Sequence, residues 1–164
     1  MPAVTPPSTI VLGLGNPVLG DDAVGLRVAA ALQQLMVDDP LEGVQVLTST
    51  RAGFELVDLL AGATRAIIID CLEVPDPTPG RVRRLDLKQV AGSARLVGAH
   101  DISVAVAFEL AAALGIRMPR TVEIYGVEAA STREFEERMT PEVECAVVTL
   151  ARDLHLRLKQ RARE

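Results

Sequence analysis

Cysteine and histidine are scarce in this chain of 164 residues, which contains two of each. Cys71 and Cys145 stand far apart and outside any C-x-x-C motif, which excludes a zinc knuckle and a dithiol redox site, and both are expected to be buried free thiols. No uncharged apolar run approaches the length of about 20 residues that a membrane span requires. The first residues also lack the charged start and apolar core of a signal peptide. The sequence therefore predicts a cytoplasmic protein without a membrane segment.

Positive charge is in deficit as well, because 17 lysines and arginines face 22 aspartates and glutamates, a formal net charge of -5. A nucleic-acid site needs clustered positive charge, so this balance argues against a nucleic-acid partner. Hydrophobic residues make up 49% of the chain, which is enough for one buried core and leaves little for a second. We therefore expect a single domain over residues 1–164, with disorder-prone ends at residues 1–7 and 160–164.

Short apolar runs rich in β-branched residues recur along the chain and predict β-strands. They cover residues 8–14, 44–48, 65–69 and 121–127. Residues 67–69 show no polar alternation, which is typical of a strand covered on both faces at the centre of a parallel sheet. The charged residues 81–85 indicate a strand at a sheet edge, because charge there discourages further pairing.

Helical patterns separate these strands. Apolar residues recur on one helix face from Val24 to Leu35, which predicts a helix over residues 22–36. Further helices are predicted over residues 54–60, from the capping residue Asp101 to Leu114 before Gly115, and from Thr140 and Pro141 onward. Strands that alternate with helices predict an α/β fold, a three-layer α/β/α sandwich around a mostly parallel twisted sheet of about five strands.

Three polar residues follow the predicted strands or lie near their ends. In a parallel sheet ligands bind at the carboxyl ends of the strands, and Asp22, Asp70 and His100 are the candidates for that edge. Two carboxylates and an imidazole would form an open site for a borderline-hard cation such as zinc, nickel, manganese or iron. The sequence therefore indicates a metal site assembled from distant parts of the chain.

Each of these residues also has a structural alternative. Asp21 is the better cap for the first helix, which leaves Asp22 as the ligand candidate. Asp70 follows a core strand, where a carboxylate needs a cation or several hydrogen-bond donors. His100 either binds a metal or lies on the surface before a helix cap. His155, beside the apolar stripe of the last helix, is expected to be structural or exposed.

The segment GLGNPVLGDD at residues 13–22 is rich in glycine, as phosphate-binding loops are. The dinucleotide fingerprint requires a third glycine where this chain has Val18, and no Gly-Lys-Ser or Gly-Lys-Thr is present. The second predicted strand ends without an acidic residue for a ribose. The segment is therefore interpreted as a turn that delivers carboxylates, not as a nucleotide site.

Four segments resemble the hydrogenase maturation endopeptidases, in the same order and at similar spacing along nearly the whole chain. They are GLGNPVLGDDAVG, AIIID, GAHDISVAVAFELAAALG and IYGVEAASTREFEERMTPEVECAV. The resemblance implies an α/β sandwich enzyme that removes the C-terminal extension of a [NiFe] hydrogenase large-subunit precursor after nickel insertion. It also implies that Asp22, Asp70 and His100 recognise nickel already bound in the substrate. The chain would then carry no metal of its own, and zinc or cadmium would substitute for nickel in vitro.

The chain departs from the family pattern at three places, the mildest of which is Ala129 after Glu128, where a proline is frequent. Asp21 and Asp22 stand where many members have Asp-Glu, which draws the carboxylate back by one methylene. Residues 48–51, Thr-Ser-Thr-Arg, replace the Asp-Gly-Gly-Thr of some relatives. By the resemblance, Asn16, Arg51 and Gly53 belong to loops that contact the substrate. Whether the metal also polarises the scissile carbonyl is left open.

Two other functions compete with this interpretation. GLGNP also resembles the start of peptidyl-tRNA hydrolase, but Asp21–Val24 occupies the region where that family needs a tyrosine and a Thr-Arg-His-Asn run. A non-proteolytic chaperone that senses nickel in the large subunit would share every feature except turnover. In either nickel-dependent case we expect a monomer that meets the precursor one to one.

Overall fold

The computed structural model describes residues 7–50, 53–91, 104–130, 132 and 135–162. Its strands are β1 Thr9–Leu14, β2 Val44–Ser49, β3 Arg65–Leu72, β4 Val82–Leu85 and β5 Thr121–Glu128. Its helices are α1 Val24–Asp38, α2 Phe54–Leu60, α3 Leu87–Ala91, α4 Val104–Ala113 and α5 Pro141–Arg161. A 3₁₀ turn, Gly20–Ala23, leads into α1.

The five strands form one sheet in the order β2-β1-β3-β5-β4. The pairs β1–β2, β1–β3 and β3–β5 are parallel, and β4 pairs antiparallel with β5 at the edge. The charged strand is therefore at an edge and β3 is central, and both predictions are confirmed. The carboxyl ends of the four parallel strands all point to one side of the sheet, which is where the candidate site residues are expected.

Two apolar cores lie on opposite faces of the sheet. Odd-numbered positions of β1 and β3, such as Val11 and Ile67, pack with α1 and α5, and even-numbered positions, such as Leu12 and Ile68, pack with α2 and α4. Successive strand residues point to opposite faces, so both parities must be apolar when both faces are covered. The three-layer sandwich is therefore confirmed.

Several boundaries differ from the predicted ones. The first helix begins at Val24 and continues to Asp38, and β3 continues to Leu72, so Asp70 lies inside the strand. Helix α3 was not predicted, and Asp101 lies outside the described residues. Helix α5 includes Gln160 and Arg161, which the sequence analysis assigned to a disorder-prone end.

The two cysteines have different environments. Cys71 is buried, as predicted, but Cys145 is exposed. The prediction for Cys145 was wrong because this residue lies off the apolar stripe by which α5 packs on the sheet. His155 is buried, with Nε2 2.9 Å from the carbonyl oxygen of Asp39, as expected of a structural histidine. Within the described residues, no helix combines the length and the apolar character needed to cross a bilayer.

A buried carboxylate ties β5 to the edge strand and to the end of α5. Glu123 is 5% exposed, and its oxygens lie 2.9 Å from Arg65, 2.8 Å from Arg161 and 3.1 Å from Arg84. Burial opposes ionisation, but hydrogen bonding and the charges of Arg161 and Arg84 prevail and hold the pKa of Glu123 below its ordinary value. The ionised carboxylate therefore stabilises the native state.

Glu123→Gln is expected to lower the free energy of unfolding at pH 7 by about 2–3 kcal/mol, less than for a fully buried pair because the arginines are partly exposed. The pKa of Glu123 is lower in the native state than in the unfolded chain. This stabilisation is therefore fully present at pH values above the ordinary pKa of glutamate, and it disappears as the pH falls through the native pKa. Urea unfolding of wild type and variant should therefore differ at pH 7 and converge once the pH falls below the native pKa of Glu123. Glu55→Gln, at an exposed position on α2, should show no such difference.

Candidate active site

The glycine-rich segment allows the backbones of β1 and α1 to approach each other closely. A Cβ added at Gly25 would lie inside 3.0 Å of main-chain atoms of Leu14 and Ile69, and one at Gly13 would lie 2.7 Å from the Cβ of Ala29. Contacts this short are not compatible with a side chain at either position. These glycines therefore serve helix–strand packing, which brings the 3₁₀ turn before α1 beside the end of β3.

Asp22 and Asp70 come together at this point. Asp22 lies in the 3₁₀ turn after β1, Asp70 lies in the adjacent parallel strand β3, and both side chains are partly buried. The Asp70 carboxylate accepts a 2.7 Å hydrogen bond from the main-chain N–H of Cys71. The predicted pair of carboxylates therefore exists at the carboxyl edge of the parallel strands.

Ionisation of this pair is unfavourable in the protein alone. Burial, with a further contribution from the charge of Asp22 and against the hydrogen bond from Cys71, raises the pKa of Asp70 to about 7. Burial and the charge of Glu73 raise the pKa of Asp22, while a main-chain hydrogen bond from Asn16 lowers it. Two such carboxylates are stabilised in the charged form by a cation, and their oxygens are suitable ligands for one.

Two of the predicted site residues, His100 and Arg51, lie outside the described residues. Among the residues that are described, no three histidine, cysteine or acidic side chains lie close enough together to hold a metal ion. Asp22 and Asp70 thus form the described part of the predicted trio. For the predicted metal site, a third ligand would have to come from outside the described residues or from the substrate.

Glu73 is an acidic neighbour that the sequence analysis missed. It is half-buried just after β3, its charge raises the pKa of Asp22, and its carboxylate accepts a hydrogen bond from the hydroxyl of Thr132. The position of Glu73, three residues after Asp70, was the available signal.

Cys71, beside Asp70 in sequence, is not an activated nucleophile. Burial is the largest cause of the raised pKa of its thiol, and the charges of Asp70 and Asp22 raise that pKa as well.

Asp21 does not cap α1, and this prediction was wrong. Its side chain is 2% exposed and accepts hydrogen bonds from the main-chain N–H of Ala130 at 2.9 Å and of Thr140 at 2.7 Å. The Thr140 hydroxyl lies 3.2 Å from both carboxylate oxygens. Because Thr140 is the residue before α5, Asp21 joins the turn that carries Asp22 to the loop between β5 and α5.

Asp21→Ala is expected to lower the free energy of unfolding by about 2–3 kcal/mol, because it leaves the partly buried donors of Thr140 without their acceptor. Asp21→Asn retains one acceptor oxygen and should lose less. Both values are measured by urea unfolding, with Asp58→Ala at an exposed position on α2 as the control. A loss for Asp21→Ala no greater than for the control would contradict the assigned role.

The remaining described loop residues shape the same edge of the sheet. The side-chain oxygen of Asn16 accepts a 3.1 Å hydrogen bond from the N–H of Val18, which folds the loop after β1 into a tight turn. Gly53, with a φ of 87°, precedes α2, and its carbonyl oxygen accepts a hydrogen bond from Leu56 at 3.1 Å. Both residues lie in loops that follow parallel strands, where the resemblance placed contacts to substrate.

The fold and the site together define an α/β protein with an acidic pair, rather than a phosphate cradle, at the carboxyl edge of its sheet. Residues 26–155 match the family model of the hydrogenase maturation proteases. The chain belongs to this family and is therefore a hydrolase, an endopeptidase.

Individual relatives agree with the family assignment. The chain is 30% identical over 155 residues to the hydrogenase expression/formation protein HupD of Thiocapsa roseopersicina, covering 88% of this chain and 68% of that protein. It is 29% identical over 139 residues to the hydrogenase 2 maturation protease of Escherichia coli (strain K12), covering 84% of this chain and 82% of that protein.

A solved structure shares the fold over nearly the whole chain. The hydrogenase maturating endopeptidase HybD from E. coli superposes with a TM-score of 0.70 at 26% identity, covering 93% of each chain. A maturation protease from Thermococcus kodakarensis, at 22% identity, a TM-score of 0.68 and 93% coverage of each chain, shares the fold. The expected architecture and enzyme class are thus both confirmed.

Proposed function

We propose that this endopeptidase removes the C-terminal extension of a [NiFe] hydrogenase large-subunit precursor after nickel has been inserted. In this proposal Asp22, Asp70 and His100 recognise the nickel that the substrate carries. The observation that supports it best is the pair of partly buried carboxylates, Asp22 and Asp70, at the carboxyl edge of the sheet in a member of the maturation protease family. The names of the relatives, which refer to hydrogenase formation and hydrogenase maturation, support a hydrogenase precursor as the substrate class.

The chemistry of the donor set fits a substrate-borne cation. Carboxylate oxygens and an imidazole nitrogen bind nickel, and zinc or cadmium would also be accepted. An incomplete site has open positions for ligands that the substrate brings, so binding depends on whether the metal has arrived. A cation held there by Asp22 and Asp70 would supply Lewis-acid chemistry to a carbonyl oxygen that reaches it.

The negative charge of the site favours a precursor that carries a cation over one that does not. Burial raises the pKa of both Asp22 and Asp70, and a neighbouring acidic charge adds to it in each case, Glu73 for Asp22 and Asp22 for Asp70. A divalent cation would favour the ionised form of both carboxylates and attract them in a partly desolvated place. A nickel-free precursor offers no such gain, so it should bind weakly and remain uncleaved.

The test compares nickel-loaded with nickel-free precursor in the presence of the wild type or of Asp22→Ala. Gel shift and mass spectrometry should detect loss of a C-terminal peptide only from the loaded precursor and only with the wild type. Asp38→Ala, an exposed aspartate at the far end of α1, is the matched control and should cleave normally. Binding of the loaded precursor without cleavage by the wild type would indicate the chaperone function instead.

A further inference from the structure

The loops around the acidic pair expose apolar side chains. Phe135, one of three phenylalanines in the chain, is 88% exposed in the loop between β5 and α5, and Val18 is 46% exposed in the loop after β1. Phe54, after β2, is also exposed. All three follow the carboxyl ends of parallel strands, on the side of the sheet that holds Asp22 and Asp70.

Main-chain hydrogen bonds of Glu136 join the loop that carries Phe135 to the loop that carries Val18. The N–H of Glu136 donates to the carbonyl oxygen of Val18 at 3.1 Å, and the N–H of Gly20 donates to the carbonyl oxygen of Glu136 at 2.5 Å. Leu19 and Glu136 thereby form a parallel β-bridge. The residue next to Phe135 in sequence is thus fixed against the loop that leads to Asp22.

The carboxylate of Asp21 fastens the same loop at both ends. It accepts hydrogen bonds from Ala130, just after β5, and from Thr140, just before α5. The loop that carries Phe135 is therefore attached at its ends and near its middle to the turn that carries Asp22. A large apolar side chain exposed on such an anchored loop offers a preformed surface for binding another apolar group.

We infer that Phe135 and Val18 form a docking surface for an apolar stretch of the precursor polypeptide next to its nickel site. The inference rests on the proposed function. The acidic side chains of Asp22, Asp70 and Glu73 complement the positive metal that the substrate carries, so the polypeptide around that metal is the segment brought to this edge. The adjoining apolar pair then binds side chains that flank the metal ligands, and thereby contributes to substrate affinity.

Phe135→Ala is expected to raise KM for the nickel-loaded precursor by about 10-fold and to leave kcat within about 2-fold, since burial of the ring contributes to binding and not to the bond-breaking step. Phe135→Leu, which retains most of the apolar area, should recover most of the affinity. Val37→Ala, at a side chain 69% exposed near the end of α1, is the matched control. All three variants should keep the wild-type melting temperature, because neither side chain is packed in a core.

An unchanged KM for Phe135→Ala, with normal cleavage by the wild type, would overturn the docking surface and leave the proposed function intact. Measuring the binding of the loaded precursor directly tests the docking surface even if the protein does not cleave the precursor. If the wild type binds without cleaving and Phe135→Ala binds about 10-fold more weakly, the docking surface stands and the proteolytic step falls. If sedimentation shows that the wild type self-associates and Phe135→Ala does not, the surface joins two copies of this chain and the inference is wrong.

Discussion

If Asp70 binds the nickel of the substrate as proposed, replacing it by asparagine is expected to lower kcat/KM for the nickel-loaded precursor by roughly 10³-fold or more, because the substitution removes a ligand charge worth several kcal/mol at the metal. Asparagine has nearly the same shape as aspartate and retains an oxygen that can accept the hydrogen bond from Cys71. The change therefore removes charge without removing the local contact. Cleavage is followed by mass spectrometry over a range of precursor concentrations.

The same substitution should leave the protein as stable as the wild type, or more stable, at pH 8. The pKa of Asp70 is raised to about 7 in the native state, so the native protein binds a proton that the unfolded chain releases between about pH 4 and 7. The stability of the wild type therefore falls as the pH rises through that range, and the neutral asparagine avoids this loss. Thermal unfolding at pH 8 of Asp70→Asn and of Asp58→Asn, an exposed control on α2, tests the sign.

If the Asp70→Asn variant cleaved at the wild-type rate, Asp70 would not be part of the active site. A variant that is inactive and also strongly destabilised would show that Asp70 has a structural role. Retained stability with lost cleavage is the combination expected of a functional carboxylate. A buried charge that the activity requires lowers the stability of the folded protein, so its removal does not destabilise the fold.

The substitution Gly25→Ala is expected to have the largest effect on stability, a loss of about 3 kcal/mol. An added Cβ would collide with main-chain atoms of Leu14 and Ile69, which belong to two strands and cannot move independently. The expected sign is opposite to that of helix propensity, which favours alanine over glycine by up to about 1 kcal/mol. Urea unfolding decides between the two, and a stabilised variant would disprove the close approach.

Gly115→Ala is the control for Gly25→Ala. Nothing lies within 4 Å of a Cβ added at Gly115, although its φ of +69° is costly for alanine. That variant should therefore lose only about 1–2 kcal/mol. Gly25→Ala should in addition reduce cleavage at concentrations where it is fully folded, because displacement of α1 by about 1 Å also displaces Asp22, and errors of that size cost about 100-fold in rate.

Much of the fold could be predicted from local patterns of apolar and charged residues in the sequence. The apolar run at residues 65–69 and the charge of residues 81–85 predicted a central and an edge strand, and β3 and β4 occupy those positions. Apolar periodicity depends only on which face is covered, so it can be read without knowledge of the partner. The same holds for α2 and for the start of α5 at Pro141.

The candidate site could be predicted in part. Asp22 and Asp70 follow from a general rule, that parallel strands present their carboxyl ends at one edge, and the structure brings the two together. The role of Asp21 did not follow from any local signal, and Glu73 was indicated only by its position three residues after Asp70. Asp21 had the position of a helix cap, yet its partners lie 109 and 119 residues further along the chain.

The sequence by itself determined the α/β class, the central strand, the family and the two acidic residues, because periodicity, motif order and strand ends are properties of the linear chain. The tertiary structure decided that Gly13 and Gly25 serve close packing, that Asp21 fastens the loop before α5, and that Glu136, next to Phe135 in sequence, bonds to Val18. Each of these contacts joins segments that are apart in the sequence, and the number of residues between two segments does not say whether they are close in space. They arise only when α1 and α5 pack on the same face of the sheet and bring their preceding loops together.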